Sequence, residues 1–296
     1  MTAATVFPAG YTVVPMTRAE ADQLGGWAAD EGWNPGLADI DVAWGSDPQA
    51  FIALRQDGVL AGGATIIAYE GTAGFLGLYI MRKDLRRKGL GRLFWQELLR
   101  RHAARLRPNA PIGLDGVFDM APFYAADGFE LLYRDLRYEG VAAGKATGDR
   151  ADAAVLPLNK IAWDRLAAYD AAVSGIARPD FMRRWLNVSG GKGFAVLHRD
   201  GSVAGYGFAR PCRSGYKIGP LYADDPASAR HLLDTLLAEI AGAPVALDVP
   251  EPNPAALELV GERGLRQSFG CARMVRGEGM TPPTDRIFGV TSFEFG

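Results

Sequence analysis

The sequence predicts an α/β protein made of two tandem units, each a mixed, mostly antiparallel sheet flanked by helices. Two observations support this fold class. In residues 11–138 the predicted order is strand, two helices, three strands, and then alternating helix and strand. Antiparallel strands followed by βαβ crossovers form a mixed sheet with helices on both faces. Residues 155–275 repeat that order, which indicates two copies of one fold.

The first unit carries clear helix and turn signals. Thr17, followed three residues later by Glu20, forms a capping box that predicts the start of a helix. Asp57 and Gly58 lie between two apolar runs and predict a hairpin turn. Together with hydrophobic periodicity, these signals predict strands at residues 11–15, 51–55, 59–69, 75–81, 111–117 and 129–138, and helices from residue 17 and at 37–44, 90–107 and 120–127.

A small, polar segment without apolar periodicity, residues 140–152, predicts a linker. The predicted domains are therefore residues 1–139 and 153–296. In the second domain we predict strands at residues 155–158, 193–198, 203–211, 216–222, 245–249 and 266–275, and helices at 161–173, 179–187, 227–241 and 254–262. The closing Phe293, Glu294 and Phe295 are predicted to add an edge strand.

Composition excludes several classes of function. The chain has 296 residues, 48% hydrophobic content and a net charge of −2, which is ordinary for a globular protein and gives no sign of a nucleic-acid or membrane partner. Cys212, Cys271 and the three histidines show no ligand spacing, so no metal is expected. The start of the chain lacks a signal-peptide pattern and no apolar run reaches membrane-spanning length, so a cytoplasmic location is expected.

The most informative stretch is a basic loop with two glycines, residues 82–91, between a strand and a helix. Gly89 and Gly91 allow successive N–H groups to point into one concavity, and the helix start adds unpaired N–H groups and a positive dipole end. Such a loop can also be a plain solvated connection. The apolar stripe of the following helix predicts that the loop is held rigidly, which favours a pyrophosphate site.

This stretch resembles the acetyl-CoA signature of the GNAT N-acetyltransferase superfamily, R/Q-x-x-G-x-G/A, with Arg86, Gly89 and Gly91 at the motif positions. The second copy resembles a GNAT-like domain found at the C-terminal end of tandem acetyltransferases, in the segments IGPLYADD, LDVPEPNPAALELV and GVTSFEFG. The resemblance implies acetyl-CoA as co-substrate and implies the following residues for binding it: Ile80, Met81, Arg86, Arg87, Lys88, Gly89, Leu90, Gly91 and Arg92.

The two copies differ at the positions that carry chemistry. Where the first copy has its glycine loop, the second has Asp224, Asp225 and Pro226, which oppose a pyrophosphate and are ordinary helix-capping residues. The second domain is therefore not expected to bind CoA. In the family a later motif supplies an Asn for CoA and a Tyr that protonates the thiolate. The first copy keeps only the Tyr, Tyr124, whereas the second keeps only the Asn, Asn253.

Tyr124 is accordingly the predicted general acid, since a phenol of pKa about 10 can protonate a departing thiolate. Glu31 and Asp115 are candidates for the base that deprotonates the amine, with Asp119 as a further possibility. Trp33 and Asn34 are candidates for lining the acceptor site. Each of these residues could also have a purely structural role.

The sequence thus predicts an N-acetyltransferase that moves an acetyl group from acetyl-CoA to a primary amine by direct attack. The acceptor is predicted to be a small-molecule or peptide amine, and the protein a monomer or homodimer. Two alternatives stay open: transfer of another acyl group from its CoA thioester, and a CoA-sensing or interaction module without turnover.

Overall fold

A computed structural model of the protein describes residues 5–144 and 155–296. Within those ranges the chain forms strands β1 Tyr11–Pro15, β2 Phe51–Gln56, β3 Val59–Tyr69, β4 Ala73–Met81, β5 Ile112–Val117, β6 Glu130–Val141, β7 Val155–Pro157, β8 Lys192–Leu197, β9 Val203–Pro211, β10 Tyr216–Ala223, β11 Pro244–Pro250, β12 Arg266–Arg276 and β13 Ile287–Gly289. The helices are α1 Arg18–Asp30, α2 Asp39–Ser46, α3 Leu90–Ala103, α4 Ala121–Ala125, α5 Trp163–Ser174, α6 Pro179–Trp185, α7 Pro226–Glu239 and α8 Pro254–Glu262.

All of these strands belong to one sheet that runs through both halves of the chain. Its order is β1-β2-β3-β4-β5-β12-β6-β11-β10-β9-β8-β7, and β13 pairs with β10 beside that path. Most neighbouring strands are antiparallel, whereas β4 with β5 and β10 with β11 are parallel. The mixed, mostly antiparallel sheet of the sequence prediction is therefore confirmed.

The closing strands of the two halves have exchanged places. β12, from the second half, pairs with β5 of the first, and β6, from the first half, pairs with β11 of the second. Each of these two strand pairs contains a buried, bidentate ion pair: Arg273 with Asp115 between β12 and β5, and Arg137 with Asp248 between β6 and β11. Removing one partner of either pair would leave a buried, unpaired charge, at a cost of about 3–5 kcal/mol.

The helices cover both faces of the sheet. α3 and α4 pack on the first half and α7 and α8 on the second, each pair over its own apolar cluster. A third cluster is shared by both halves, because α1, α2, α5 and α6 all contribute to it together with the closing segment, residues 290–296.

Most predicted elements are present within one to three residues of their expected ends, and the Thr17–Glu20 capping box is formed. Two predictions were wrong. α3 ends at Ala103 instead of residue 107, because the Arg105 and Leu106 amides bond to carbonyl oxygens three residues back instead of four. The Arg107 amide bonds outside the helix, to the Gly71 oxygen. Residues 293–295 form no edge strand but are buried between the two halves. The predicted boundary at residue 139 falls inside β6; the domain limits stay a prediction, and residues 145–152 of the linker lie outside the described ranges.

Candidate active site

The loop between β4 and α3 presents a row of free amides. Arg87 and Gly89 both have left-handed backbone, with φ of 62° and 81°, which turns the peptide groups between β4 and the helix. Within the described residues, the N–H groups of positions 87–91 make no hydrogen bond, and the first bonded amide is that of Arg92, to the Gly89 oxygen at 3.0 Å. Amides arranged in this way suit an anion such as a pyrophosphate.

At Gly91 the start of α3 packs closely against β4. The Tyr79 hydroxyl donates to the Gly91 carbonyl oxygen at 2.7 Å, and a Cβ on Gly91 would lie only 2.8 Å from that hydroxyl. Any side chain at this position would require the Tyr79 ring or the start of α3 to move and would disturb this hydrogen bond. Gly89 differs, because its Cβ would meet open space but its φ of +81° disfavours other residues.

Beside the loop, β4 and β5 separate into a V-shaped gap. Their parallel pairing covers only residues 74–76 and 112–114. β4 then contains a bulge, shown by the shift of register with β3 and by a φ of 49° at Leu78. The stretch of β4 that leads to Ile80 and Met81 therefore borders the gap with a backbone edge that β5 does not pair.

A cavity of about 560 Å³ fills this gap. Its lining includes eleven of the predicted site residues: Glu31, Trp33, Ile80, Met81, Arg86, Arg87, Gly89, Gly91, Arg92, Asp115 and Tyr124. The exchanged strands and the closing segment supply five more, Arg137, Phe269, Cys271, Phe293 and Glu294. Both halves of the chain therefore build one site.

Three predicted residues lie outside the lining. The side chain of Leu90 is buried in the core beneath α3, and Lys88 is exposed. The Asn34 side chain exchanges two hydrogen bonds of 3.0 Å with the Ser214 backbone, so it joins two loops of different halves.

Tyr124 lies at the cavity wall with 7% of its surface exposed. Its ring packs 4.9 Å from that of Trp95, and a Cβ on Gly116 would lie 2.3 Å from it, so the ring position is tightly defined. Burial raises the pKa of Tyr124, which keeps the phenol protonated. The hydroxyl makes no hydrogen bond within the described residues and is therefore free to donate.

The two predicted base candidates are both committed to arginines. The Asp115 side chain is fully buried and bound by Arg273 at 2.6 and 2.7 Å, so only its backbone borders the cavity. Burial raises the pKa of Asp115 to about 6, although Arg273 opposes the rise. Glu31 accepts from Arg86 at 2.7 Å, and this hydrogen bond lowers the pKa of Glu31. Arg86 also donates to the Met81 oxygen at 2.9 Å, so the pair fixes the end of β4.

The equivalent gap in the second half is filled by the chain itself. β10 and β11 pair only over residues 216–218 and 245–247, and β13 then lies against β10 at Leu221 and Tyr222. Asn253, at the motif position, caps α8 and donates to the carbonyl oxygens of Thr284 and Ile287 at 3.1 and 2.9 Å. Its amide therefore holds the segment that occupies the gap.

Sequence reasoning missed Glu294 and the aromatic residues around it. The available signal was a single carboxylate between two phenylalanines in an otherwise apolar closing segment. That pattern is also what an edge strand shows, and only the path of the chain places it in the cavity.

The described ranges contain neither a metal-ligand cluster nor a membrane-spanning helix. No group of three or more His, Cys, Asp or Glu side chains is placed to hold a metal ion. None of the described helices combines the length and apolar character needed to cross a membrane.

Comparisons with known proteins agree with this architecture. Residues 17–129 match a family model described as acetyltransferase (GNAT) family, and residues 166–289 match one described as acetyltransferase (GNAT) domain. A holothin acyltransferase of Pseudoalteromonas sp. (strain SANK 73390) is 25% identical over 97% of this chain and 95% of its own.

Solved structures share the fold. A putative acetyltransferase from Pyrococcus horikoshii superposes with a TM-score of 0.82 at 20% identity, covering 100% of this chain and 99% of that one. A tandem GNAT protein from the clavulanic acid biosynthesis pathway gives 0.61 at 15% identity, over 90% and 98% of the two chains. Two matching family models, a shared fold and a relative aligned over nearly its full length show that the chain belongs to the GNAT superfamily, as a tandem acyltransferase.

Proposed function

We propose that this acyltransferase moves an acetyl group from acetyl-CoA to a primary amine at the cavity of the first half. The observation that carries the proposal is that Arg87, Gly89 and Gly91 of the loop with free amides, the gap beside β4 and Tyr124 all border one cavity. The loop amides and Arg87 would hold the pyrophosphate, and the backbone near Ile80 would pair with the pantetheine arm.

In this proposal acetyl-CoA supplies the activated acyl group. The protein holds the thioester and the amine next to each other and donates a proton to the sulfur. The amine attacks the thioester directly, and Tyr124 gives its proton to the departing sulfur. Burial supports this role, because it raises the pKa of Tyr124 and keeps the phenol protonated, while its hydroxyl has no hydrogen-bond partner among the described residues. A positioned acid of this kind contributes about 10²- to 10⁴-fold to the rate.

The second half would serve as scaffold and acceptor-site wall. Its own gap is filled by β13, and Asp225 is used to cap α7 through the amides of Ala227 and Ser228 at 2.8 and 2.9 Å. These contacts favour one acetyl-CoA per chain.

A second candidate is transfer of a larger acyl group. The relative named holothin acyltransferase leaves the acyl group unspecified, and the cavity extends past the bulge of β4 to Phe293. Titration with acetyl-CoA, succinyl-CoA and hexanoyl-CoA distinguishes the two, since the preferred donor binds most tightly and turns over fastest with the same amine.

The test of the donor site is calorimetric titration of acetyl-CoA into wild type, Gly91→Val and Gly261→Val. Gly261 is a matched helical control, because a Cβ there meets nothing within 4 Å. We expect Gly91→Val to weaken binding at least tenfold and Gly261→Val to leave it unchanged. Equal affinity of wild type and Gly91→Val would disprove the assignment of the loop.

The test of the acid compares Tyr124→Phe with Tyr216→Phe in an acetylation assay against an amine library. Tyr124→Phe should lower kcat about 10²- to 10⁴-fold with unchanged acetyl-CoA affinity. A kcat equal to that of the Tyr216→Phe control would remove Tyr124 as the acid. Absence of turnover by wild type, despite tight acetyl-CoA binding, would favour the sensing module.

A further inference from the structure

Glu294, a carboxylate of the closing segment, lines the cavity of the first half and has no ion-pair partner within the described residues. Glu294 is only 4% exposed, and the described residues place no Lys, Arg or His nitrogen within ion-pair distance of it. A desolvated carboxylate is costly unless it is paired. This placement indicates that its partner is a ligand.

The segment around Glu294 is fixed in place. The Ser292 hydroxyl donates to Glu294 Oε2 at 2.5 Å and accepts from the Glu294 N–H at 2.9 Å. The Tyr69 hydroxyl donates to the Phe295 oxygen at 2.6 Å, and Arg178 donates to Thr291 at 2.7 Å. Glu294 Oε1, in contrast, makes no hydrogen bond within the described ranges. The carboxylate is thus oriented, with one oxygen still available.

Glu294 also lies next to the place where acyl transfer is proposed. Its backbone oxygen packs on Gly77, where a Cβ would approach it to 1.9 Å. Gly77 directly precedes the bulge of β4 at Leu78. The closing segment of the second half therefore reaches β4 beside its bulge, two residues from Ile80, where the pantetheine arm is proposed to bind.

The neighbouring cations are already committed elsewhere. Arg137 binds Asp248 at 2.6 and 2.8 Å, and Arg210 binds Asp39 at 2.9 and 3.2 Å. Both lie beyond ion-pair distance of Glu294 and influence it only through longer-range attraction.

Lys217, on β10, is a further cation that interacts with Glu294, also from beyond ion-pair distance. Its Nζ donates to the Trp33 carbonyl oxygen at 2.9 Å, and burial lowers the pKa of Lys217. Asp115, on β5, is the facing acid, and it is held by Arg273. The charged neighbours of Glu294 thus lie beyond ion-pair distance, and its one side-chain hydrogen-bond partner within the described residues is the Ser292 hydroxyl.

Aromatic residues line the same cavity as Glu294, and the Arg137 guanidinium lies 5.6 and 5.1 Å from the ring centroids of two of them, Phe269 and Phe293. Phe293 and Phe269 have centroids 6.2 Å apart, and both line the cavity together with Trp33. Such walls favour a flat, apolar body, whereas the single carboxylate favours a cationic group on it.

We propose that Glu294 is the acceptor-binding carboxylate of this site, and that the acceptor is a primary ammonium on an aromatic or other flat apolar body. This rests on the proposed acetyl transfer. One proton of the ammonium passes to Glu294, and the neutral nitrogen forms the C–N bond as the C–S bond breaks. Tyr124 gives its proton to the departing sulfur, and the nitrogen then passes a second proton to the Tyr124 phenolate, which restores the phenol. Glu294 releases its proton to water.

The test uses two probe amines at saturating acetyl-CoA: phenethylamine, which is protonated at neutral pH, and aniline, which is not. Wild type, Glu294→Gln and Glu278→Gln are compared, where Glu278 is an exposed carboxylate of the same half. We expect Glu294→Gln to lower kcat/KM for phenethylamine about 100-fold and for aniline less than fivefold. Acetyl-CoA affinity and melting temperature should match those of Glu278→Gln.

Each other outcome overturns a definite statement. Equal losses for both amines, or no loss, would exclude Glu294 as the group that receives the ammonium proton. Wild type that binds acetyl-CoA but acetylates neither amine would overturn the substrate class and leave the donor site intact. Wild type that does not bind acetyl-CoA would overturn the proposed function, and this inference with it.

Discussion

Asn253 provides a quantitative test of the filled gap in the second half. The side chain is 2% exposed and has two kinds of partner. Its Oδ1 accepts from the Ala256 amide at 3.1 Å, which caps α8, and its Nδ2 donates to the oxygens of Thr284 and Ile287. Replacing it by Ala removes the cap, worth about 1 kcal/mol, and two buried hydrogen bonds, worth about 1 kcal/mol each. We expect Asn253→Ala to lower the free energy of unfolding by about 3 kcal/mol.

A second substitution separates the two contributions. Asn253→Asp keeps the capping oxygen but loses the donor and places a carboxylate against carbonyl oxygens. It should therefore cost about 2 kcal/mol or more. Asn187→Ala is the control, because that exposed side chain has one hydrogen bond, to the Arg183 oxygen, and its loss should cost less than about 0.5 kcal/mol.

Urea unfolding measures these differences, and calorimetry of the same variants measures acetyl-CoA binding. All variants should bind one acetyl-CoA per chain with unchanged affinity. Variants of Asn253 as stable as the Asn187→Ala control would show that the contacts with the segment before β13 contribute little. Two acetyl-CoA per wild-type chain, reduced to one in Asn253→Ala, would show that this Asn serves a second CoA site.

Two further predictions concern buried titratable groups. Burial and the nearby charge of Asp115 raise the pKa of Asp135, whose carboxylate oxygens have no hydrogen-bond partner within the described residues. Because this folded pKa lies above the unfolded one, stability is full below the unfolded pKa and falls as pH rises through the folded pKa. Asp135→Asn should remove that fall and raise the melting temperature at pH 8 by about 2 °C or more; an equal or lower value would contradict this. Burial lowers the pKa of His102 to about 4, so stability is full above the ordinary pKa of 6.5 and is lost as pH falls towards 4. Between pH 7 and pH 4 the free energy of unfolding of wild type, measured by denaturation, should fall by about 3 kcal/mol, and His102→Gln should lack this fall. An equal fall in His102→Gln would exclude His102 as its cause.

Much of the local structure follows from short-range patterns that the sequence displays. The Thr17–Glu20 capping box starts α1 as predicted, and the Asp57–Gly58 turn joins β2 and β3. Gly89 lies in the left-handed backbone that its place in the loop implied. Such features could be predicted because each depends on a few adjacent residues, whose steric and hydrogen-bonding preferences act within one turn of chain.

The roles of particular site residues were less accessible. Asp115 and Glu31 looked like free carboxylates, but each has an arginine partner that the fold brings to it. Arg273 is separated from Asp115 by 158 positions in the chain. Whether a carboxylate is free or paired depends on such distant neighbours, and no local pattern records them.

The sequence by itself determined the two copies, their helices and strands, and the glycine loop that only the first copy has. The tertiary structure decided which half of the sheet each closing strand joins, because β12 pairs with β5 and β6 pairs with β11, across contacts far apart in the sequence. It also decided that β13 fills the gap of the second half and that the closing segment after it brings Glu294 to the cavity of the first half. Strand pairing and chain path are set by the total free energy of the packed molecule, in which contacts far apart in sequence count as much as adjacent ones.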